Sequence, residues 1–435
     1  MWLGHISLTA SWPRTTIRAR LPHSTHGRIH QPARGRVIDV ERARAETPGV
    51  ANVAHLNNAG SARPSAPVHA AVVEHLELET AIGGYEAAAA RADRIEHTYD
   101  AIATLLGCHA DEIGVVENAT RAWDMAFYAM RFDPGDRILT SQAEYASNYI
   151  ALRQVADRTG ATVEWIPEDP AGGVDVAALE AMLDDRVKVV SLVHVPSHGG
   201  LIEPAAAVGA LTRAAGIPLL LDACQSVGQM PVDVDEIGCD VLSATGRKFL
   251  RGPRGTGFLY VRRALIERLE PPLLDLHAAE WLDDGSYRIR PDARRFENWE
   301  CNYAAKIGLG VAVDYAMGWG LDAIRDRVVA LAAALRERLA DTPGVTVHDV
   351  GRERGGIVTF SLAGTPSADV AAALRSERVN VSVSPRSYSL VDFARRGLDD
   401  MVRASVHYYN DDDELDRLVA VTRRLRNRAG QSILS

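Results

Sequence analysis

The chain has 435 residues, is 47% hydrophobic and carries a formal charge of −9, which provides a sizeable core and room for two domains or for one large domain with an appendage. Its acidic balance argues against a nucleic-acid partner, which wants a basic face, and no apolar run is long enough to span a bilayer. The four cysteines, Cys108, Cys224, Cys239 and Cys301, are scattered with no CxxC pair, which points to a reduced cytoplasmic protein with buried thiols rather than a disulfide framework or a metal site.

Residues 1–38 differ from the rest. They carry six arginines (Arg14, Arg18, Arg20, Arg28, Arg34 and Arg36) and no Asp or Glu, so without them the charge becomes −9 minus 6, or −15. That composition is similar to an organelle transit peptide. With no periodicity in it, the segment reads instead as a disordered extension or a start assigned too early, and it is set apart from the fold.

From residue 39 an N-terminal segment runs to 65. Within it, His55–Ser61 is a short strand breaking into an Asn- and Gly-containing turn, which reads equally as a plain turn or as a loop facing a ligand. A helix follows Pro64 and Pro67 to about Ala81, and after Gly83-Gly84 a second runs from Tyr85 to Leu106, closed by Gly107. Strands and helices then alternate: strands at 113–117, 137–141, 162–166, 187–195, 217–221, 239–242 and 257–261, with helices at 121–130, 149–159 and 176–183. This pattern predicts an α/β domain over 66–318 with a mostly parallel sheet flanked by helices. Beyond Val261 the alternation is lost. A long helix, Leu321–Leu339, leads into a smaller C-terminal α+β domain over 319–435, with strands near Val345 and at 357–362, 379–383 and 402–407 and a last helix at 412–426.

The polar candidates fall just past strand ends, the rim where ligands bind in open α/β sheets. Ala119-Thr120 sits where a strand runs into a helix, which suits a phosphate because free N–H groups and the helix dipole favour an anion; Thr120 could simply be an N-cap, the commoner use. On residue type alone, Tyr145 is a core or surface tyrosine, His198 a loop histidine and Arg403 a strand arginine in a salt bridge. Asp222, at the end of a buried strand, needs a partner, since a buried carboxylate without one is costly.

Only three lysines occur, Lys188, Lys248 and Lys306. Lys188 opens an apolar strand and Lys306 lies in a helical pattern, so both are expected to reach solvent. Lys248 is the outlier. It lies on a turn between two core strands, within Ser243-Ala244-Thr245-Gly246-Arg247-Lys248 followed by Gly252-Pro253-Arg254-Gly255-Thr256-Gly257. That stretch resembles the Schiff-base lysine segment of the class V aminotransferase-like family. These are fold-type I pyridoxal phosphate enzymes that include cysteine desulfurases, isopenicillin N epimerase and the C–S lyase of ergothioneine biosynthesis, and the likeness extends from about His55 to the C-terminal helix.

The resemblance implies a fold-type I transferase, a homodimer with sites at the subunit interface, and pyridoxal 5′-phosphate on Lys248. It assigns the phosphate to Ala119, Thr120, Thr245 and Arg247, the ring face to Tyr145, the 3-oxygen to Ser197 and Gln225, and the ring nitrogen to Asp222, which would make the ring an electron sink. Asn58 or its neighbours would face the substrate, and so would His198. Arg403 would clamp the α-carboxylate of an amino-acid substrate, a task suited to two-point donation. One departure stands out: relatives with Gly-Thr where this chain has Trp299-Glu300 use the threonine on the neighbouring subunit's phosphate, and Glu300 cannot do so unless Arg247 compensates or another arginine faces it.

Desulfurases also carry a nucleophilic cysteine before the C-terminal strand, and 381–403 has none. The likeness of Tyr145, 296–303 and 402–410 is greatest to C–S lyases acting on cysteine S-conjugates or sulfoxides, which implies β-elimination. Transamination, epimerisation, decarboxylation and a catalytically silent cofactor-binding regulator stay open.

Overall fold

The computed structural model describes residues 37–432, with side chains through 427. The extension expected over 1–38 therefore lies outside the described residues except for Val37 and Ile38, and Ile38 is already buried against the core. After a two-residue strand β1 (Ala54–His55), seven strands make one sheet: β2 (Ile113–Val116), β3 (Arg137–Thr140), β4 (Thr162–Trp165), β5 (Val187–Val193), β6 (Leu219–Asp222), β7 (Val241–Thr245) and β8 (Gly257–Val261). Their order is β2-β8-β7-β6-β5-β3-β4. All run parallel except β8, which is antiparallel to both neighbours.

Covered on both faces, the central strands carry the unbroken apolar runs that such sheets require. Leu219, Leu220, Leu221, Val241, Leu242, Phe258 and Leu259 are all fully buried, each contributing about 1.5–3 kcal/mol. The helix Ala92–Leu106 shows the matching helical spacing, burying Ile95, Tyr99, Ile102 and Leu106, and it stops at Gly107, whose φ of 72° closes it. The single helix expected over 85–106 is in fact two, Gly84–Ala90 and Ala92–Leu106, separated at Arg91, where Arg91 and Arg94 both reach Glu74.

A hairpin of β9 (Ala279–Trp281) and β10 (Tyr287–Ile289) occupies the stretch where the sequence pattern gave no strand. Its partners Trp281 and Tyr287 are both exposed, so no buried face imposes the alternation by which a strand is recognised. The smaller C-terminal sheet, antiparallel in the order β11-β12-β15-β14, is built from β11 (Val345–Val347), β12 (Ile357–Leu362), β14 (Ser382–Ser384) and β15 (Met401–Ser405). The remaining strand, β13 (Val379–Asn380), pairs with β1 in parallel. Asn57 bridges Ser405, so the N-terminal segment is stitched to the C-terminal sheet. The architecture is α/β, a mostly parallel sheet flanked by helices plus a smaller α+β unit, as the sequence pattern predicts.

Lys306 is not the solvated helix lysine that was expected. It is 7% exposed, its ammonium donates to Tyr99 Oη and lies 3.7 Å from Glu297. The Glu297 carboxylate also accepts from Tyr99 Oη at 2.8 Å and Val115 N at 2.7 Å, and meets His277 Nε2 at 3.0 Å. Burial works to raise the Glu297 pKa, but Lys306, His277 and the Val115 amide together hold it below the ordinary carboxylate value. Its contribution is thus present above the unfolded pKa and is lost as pH falls through the folded one. Lys306→Ala should cost about 3 kcal/mol in urea unfolding at pH 7, because one member of a buried pair is left behind. That difference should shrink as the pH is taken below the usual carboxylate range.

Candidate active site

At the carboxyl edge of the parallel strands lies a cavity of about 430 Å³. Asn118, Ala119 and Thr120 reach it after β2, Tyr145 and Asn148 after β3, Ser197 after β5, Asp222, Cys224 and Gln225 at the end of β6, and Thr245, Arg247 and Lys248 from β7 and its turn. Nine of the residues proposed from sequence are thereby brought together: Ala119, Thr120, Tyr145, Ser197, Asp222, Gln225, Thr245, Arg247 and Lys248. Arg403 on β15 is also close, since its charge is felt at Lys248.

The lysine turn is rigidly anchored. Arg251, with a φ of 61° that non-glycine residues seldom adopt, is 1% exposed. Its guanidinium donates to Arg63 O (2.8 Å), Tyr408 Oη (2.7 Å) and Thr47 Oγ1 (2.6 Å) and lies over the Tyr408 and Tyr409 rings. β8 then begins at Gly257, where a Cβ would stand 2.5 Å from the Asn118 carbonyl carbon, so only glycine lets the strand pass beneath the following helix. That helix, Ala119–Phe127, is capped by Asn118, whose side chain accepts from Arg121 N at 2.9 Å. Thr120 is therefore not the cap, and it stands with Ala119 in the first turn, facing the cavity.

Charge is unevenly distributed in this space. Burial lowers the Lys248 pKa, and the nearby Arg247 and Arg403 lower it further. Arg403 is likewise pulled down to about 10, mainly by burial. The carboxylate of Asp222 accepts from Cys224 N at 2.9 Å and Asn148 Nδ2 at 3.0 Å. Burial pushes the Cys224 thiol up, so it stays protonated. Several buried polar atoms have no protein partner: Ser197 Oγ, Gln225 Oε1 and Arg403 Nε. Buried polar groups are normally satisfied, so these three mark where a ligand completes the set. Arg403 donates its other nitrogens to Ser197 O (2.8 Å) and Asn57 Oδ1 (3.4 Å), and Gln225 Nε2 to Ala59 O (3.1 Å).

Two sequence-based assignments are corrected. Asn58 is fully buried and does not face the cavity: its Nδ2 donates to Ser405 O (2.7 Å), and its Oδ1 accepts from Tyr409 Oη (2.6 Å). Its neighbour Asn57 is the one that reaches Arg403. His198 turns away too, its Nε2 held 2.9 Å from Asp392 Oδ2 with both side chains 4% exposed. Glu300 lines a separate small cavity with Glu117 and Asn302, and it has no ion-pair partner among the described residues. Sequence reasoning missed Asn148 and Cys224. The signals were their spacings, four residues past Glu144 on a helix and two past Asp222 at a strand end. Tyr388, whose ring centroid is 6.4 Å from that of Tyr145, had no such signal.

The donor set fits a phosphorylated aromatic aldehyde: a helix N-terminus and Arg247 for the phosphate, a carboxylate for a ring nitrogen, and a desolvated amine to hold the aldehyde. The family described as Aminotransferase class-V matches residues 54–418. The chain is 34% identical over 331 residues to a probable cysteine desulfurase 2 of Mycobacterium leprae, covering 73% of this chain and 78% of that protein. It is 30% identical to a probable cysteine desulfurase of Halobacterium salinarum, covering 89% and 97%. The apo structure of the cysteine desulfurase from Thermococcus onnurineus NA1 superposes with a TM-score of 0.82 at 26% identity, covering 89% of this chain and 98% of that one.

The two adjacent asparagines separate a buried hydrogen-bond hub from a side chain that, among the described residues, hydrogen-bonds only to Arg403. Asn58→Ala should lower stability by about 2 kcal/mol in urea unfolding, because buried partners lose their hydrogen bonds. Asn57→Ala should change it by less than about 0.5 kcal/mol.

Proposed function

The chain belongs to the aminotransferase class-V family, and we propose that it cleaves the carbon–sulfur bond of a cysteine S-conjugate or sulfoxide by β-elimination. Its cofactor is pyridoxal 5′-phosphate, which when bound supplies an electron sink for charge developing at the substrate α-carbon. Lys248 would hold it, Asp222 would meet its ring nitrogen, Tyr145 its ring face, Ser197 and Gln225 its 3-oxygen, and Ala119, Thr120, Thr245 and Arg247 its phosphate. Asn118 adds the cap that fixes this turn.

Arg403 binds the substrate α-carboxylate through its unpartnered Nε and an adjacent Nη. Lys248, its pKa lowered by burial, takes the proton from the α-carbon. The sulfur group then leaves from the β-carbon as a thiolate, or as a sulfenate from a sulfoxide, with no enzyme nucleophile. The product side is an aminoacrylate that hydrolyses to pyruvate and ammonia.

The observation that carries this reading is the segment between Val381 and Arg403. It has no cysteine, and its helix, Leu390–Arg396, is pinned in place. Asp392 takes both His198 and Arg396. Arg395 pairs with Glu168 at 2.7 Å, Arg396 also donates to His348 O, and Phe393 is fully buried. Tyr388, rather than a thiol, stands by Tyr145 and Arg403. Such a segment is poorly suited to carrying sulfur away as a persulfide, which is what distinguishes this proposal from the activity named for the desulfurase relatives.

The proposal includes the domain limits 39–65, 66–318 and 319–435, a homodimer with sites at the interface, and a cytoplasmic location. No described helix is long and apolar enough to cross a membrane.

Incubating the protein, loaded with pyridoxal phosphate, with an S-substituted cysteine should yield pyruvate and thiol in equal amounts. Lys248→Ala should lower the rate by at least about 100-fold, the scale of losing a positioned acid–base group. Borohydride followed by peptide mapping should label Lys248. Absence of pyruvate would sink the lyase reading, and sulfane sulfur found on Cys224 or Cys301 after incubation with free cysteine would place the chain with the named desulfurases instead.

A further inference from the structure

Behind the cavity lies a carboxylate that the mechanism does not use. Glu144 is 3% exposed, and four donors converge on it. Its Oε2 accepts from Thr140 Oγ1 (2.7 Å) on β3 and Ser191 Oγ (2.9 Å) on β5. Its Oε1 accepts from Tyr145 N (2.8 Å) and Asn148 Nδ2 (3.0 Å). The same Asn148 nitrogen donates to Asp222 Oδ2 at 3.0 Å, so one amide group, with its two hydrogens, joins two buried carboxylates.

Four donors arranged around one carboxylate suit the anion, although burial works against it and raises the Glu144 pKa. A structural anchor for the Tyr145 turn would need only the Tyr145 amide. The link through Asn148 does something more, since it fixes the rotation of Asp222 and places a second negative charge behind it.

We propose that Glu144, acting through Asn148, is a positioning residue that orients Asp222 and raises the proton affinity of the groups Asp222 faces. The inference rests on the reading that Asp222 meets the cofactor ring nitrogen. The titratable groups around the pair are few. Glu144 feels the charge of Asp222 and the buried Glu203 feels that of Glu144, while Lys248 and Cys224, on the β7 turn and at the end of β6, feel Asp222 and also Arg247. Removing a negative charge from this low-dielectric setting lowers the proton affinity of its neighbours.

The test is spectroscopic and needs no turnover. Glu144→Gln, Asn148→Ser and Ser191→Ala are each purified with bound pyridoxal phosphate, and the pH midpoint of the visible absorption band is measured beside that of the parent. Glu144→Gln should move the midpoint to lower pH by about half a unit or more. Asn148→Ser should also weaken cofactor binding at least about threefold, because Asp222 is no longer held in one rotamer. Ser191→Ala touches Asp222 only through Glu144, and it should shift the midpoint in the same direction by less. If Glu144→Gln fails to fold, the other two carry the result. Folded, yellow variants with the parent midpoint and parent affinity would overturn the proposal. A parent protein that shows no visible band at all would overturn the reading of Asp222 itself, and this inference with it.

Discussion

Three cationic side chains share one desolvated space with a single lining carboxylate. Burial lowers the proton affinity of Lys248 and of Arg403, the charge of Arg247 lowers both further, and Asp222 is the acidic residue on the cavity wall. Like charges held together at low dielectric repel strongly, so the arrangement persists only because the surrounding structure holds it. Much of that support is concentrated in Arg251. Its hydrogen bonds to Thr47, Arg63 and Tyr408 tie the turn that follows Lys248 to the N-terminal segment and to the chain just past β15. The surplus positive charge is also what makes the cavity suited to a ligand bearing both a phosphate and a carboxylate.

The same constraint explains why two sheets are needed. Lys248 and Asp222 come from adjacent parallel strands, but Arg403 comes from β15 in the C-terminal sheet. The link between the two is the short stretch 54–58. β1 pairs with β13, Asn57 bridges Ser405, and Asn58 buries its whole amide among Ser405, Tyr409 and Asn410. A parallel sheet alone supplies a rim of ligand contacts. Arg403, the proposed carboxylate clamp, is added by a second sheet whose register is fixed through the N-terminal segment.

What could be read from the sequence was whatever depends on local pattern. The alternation of strand and helix from Ile113 to Val261 follows from burial on both sheet faces, and the rim residues follow from strand ends. Lys248 was distinguishable because it lies where a solvated ammonium has no place. Most of the misses were matters of which partner a side chain chooses once the chain has folded. Lys306 sits on an ordinary helix, and its burial depends on Tyr99 and Glu297, some 200 residues away and 9 residues away respectively. Asn58 and Asn57 are adjacent in sequence, yet one faces the core and the other the arginine. His198 is drawn from the substrate side by Asp392, 194 residues later. No periodicity encodes such pairings. The β9–β10 hairpin escaped for a different reason, since both faces of its Trp281–Tyr287 pair are exposed and no buried face selects a pattern.

The direction a common active site takes is decided by what approaches its mouth. Here the helix Leu390–Arg396 is fastened at both ends of its short length, by Asp392 to His198 and by Arg395 and Arg396 to Glu168 and the His348 carbonyl. A segment so held loses the freedom to carry a group from the cavity to solvent, because releasing it would leave the buried Asp392 carboxylate without its His198 and Arg396 partners. In its place stands Tyr388, partly exposed, its ring edge-on to Tyr145 and near Arg403. On the proposed reading, an aromatic ring at this place would act on the substrate by shape, whereas a thiol would act by chemistry. On the proposed lyase reading, the contacts that hold the helix would also bear on which sulfur substituents the site accepts.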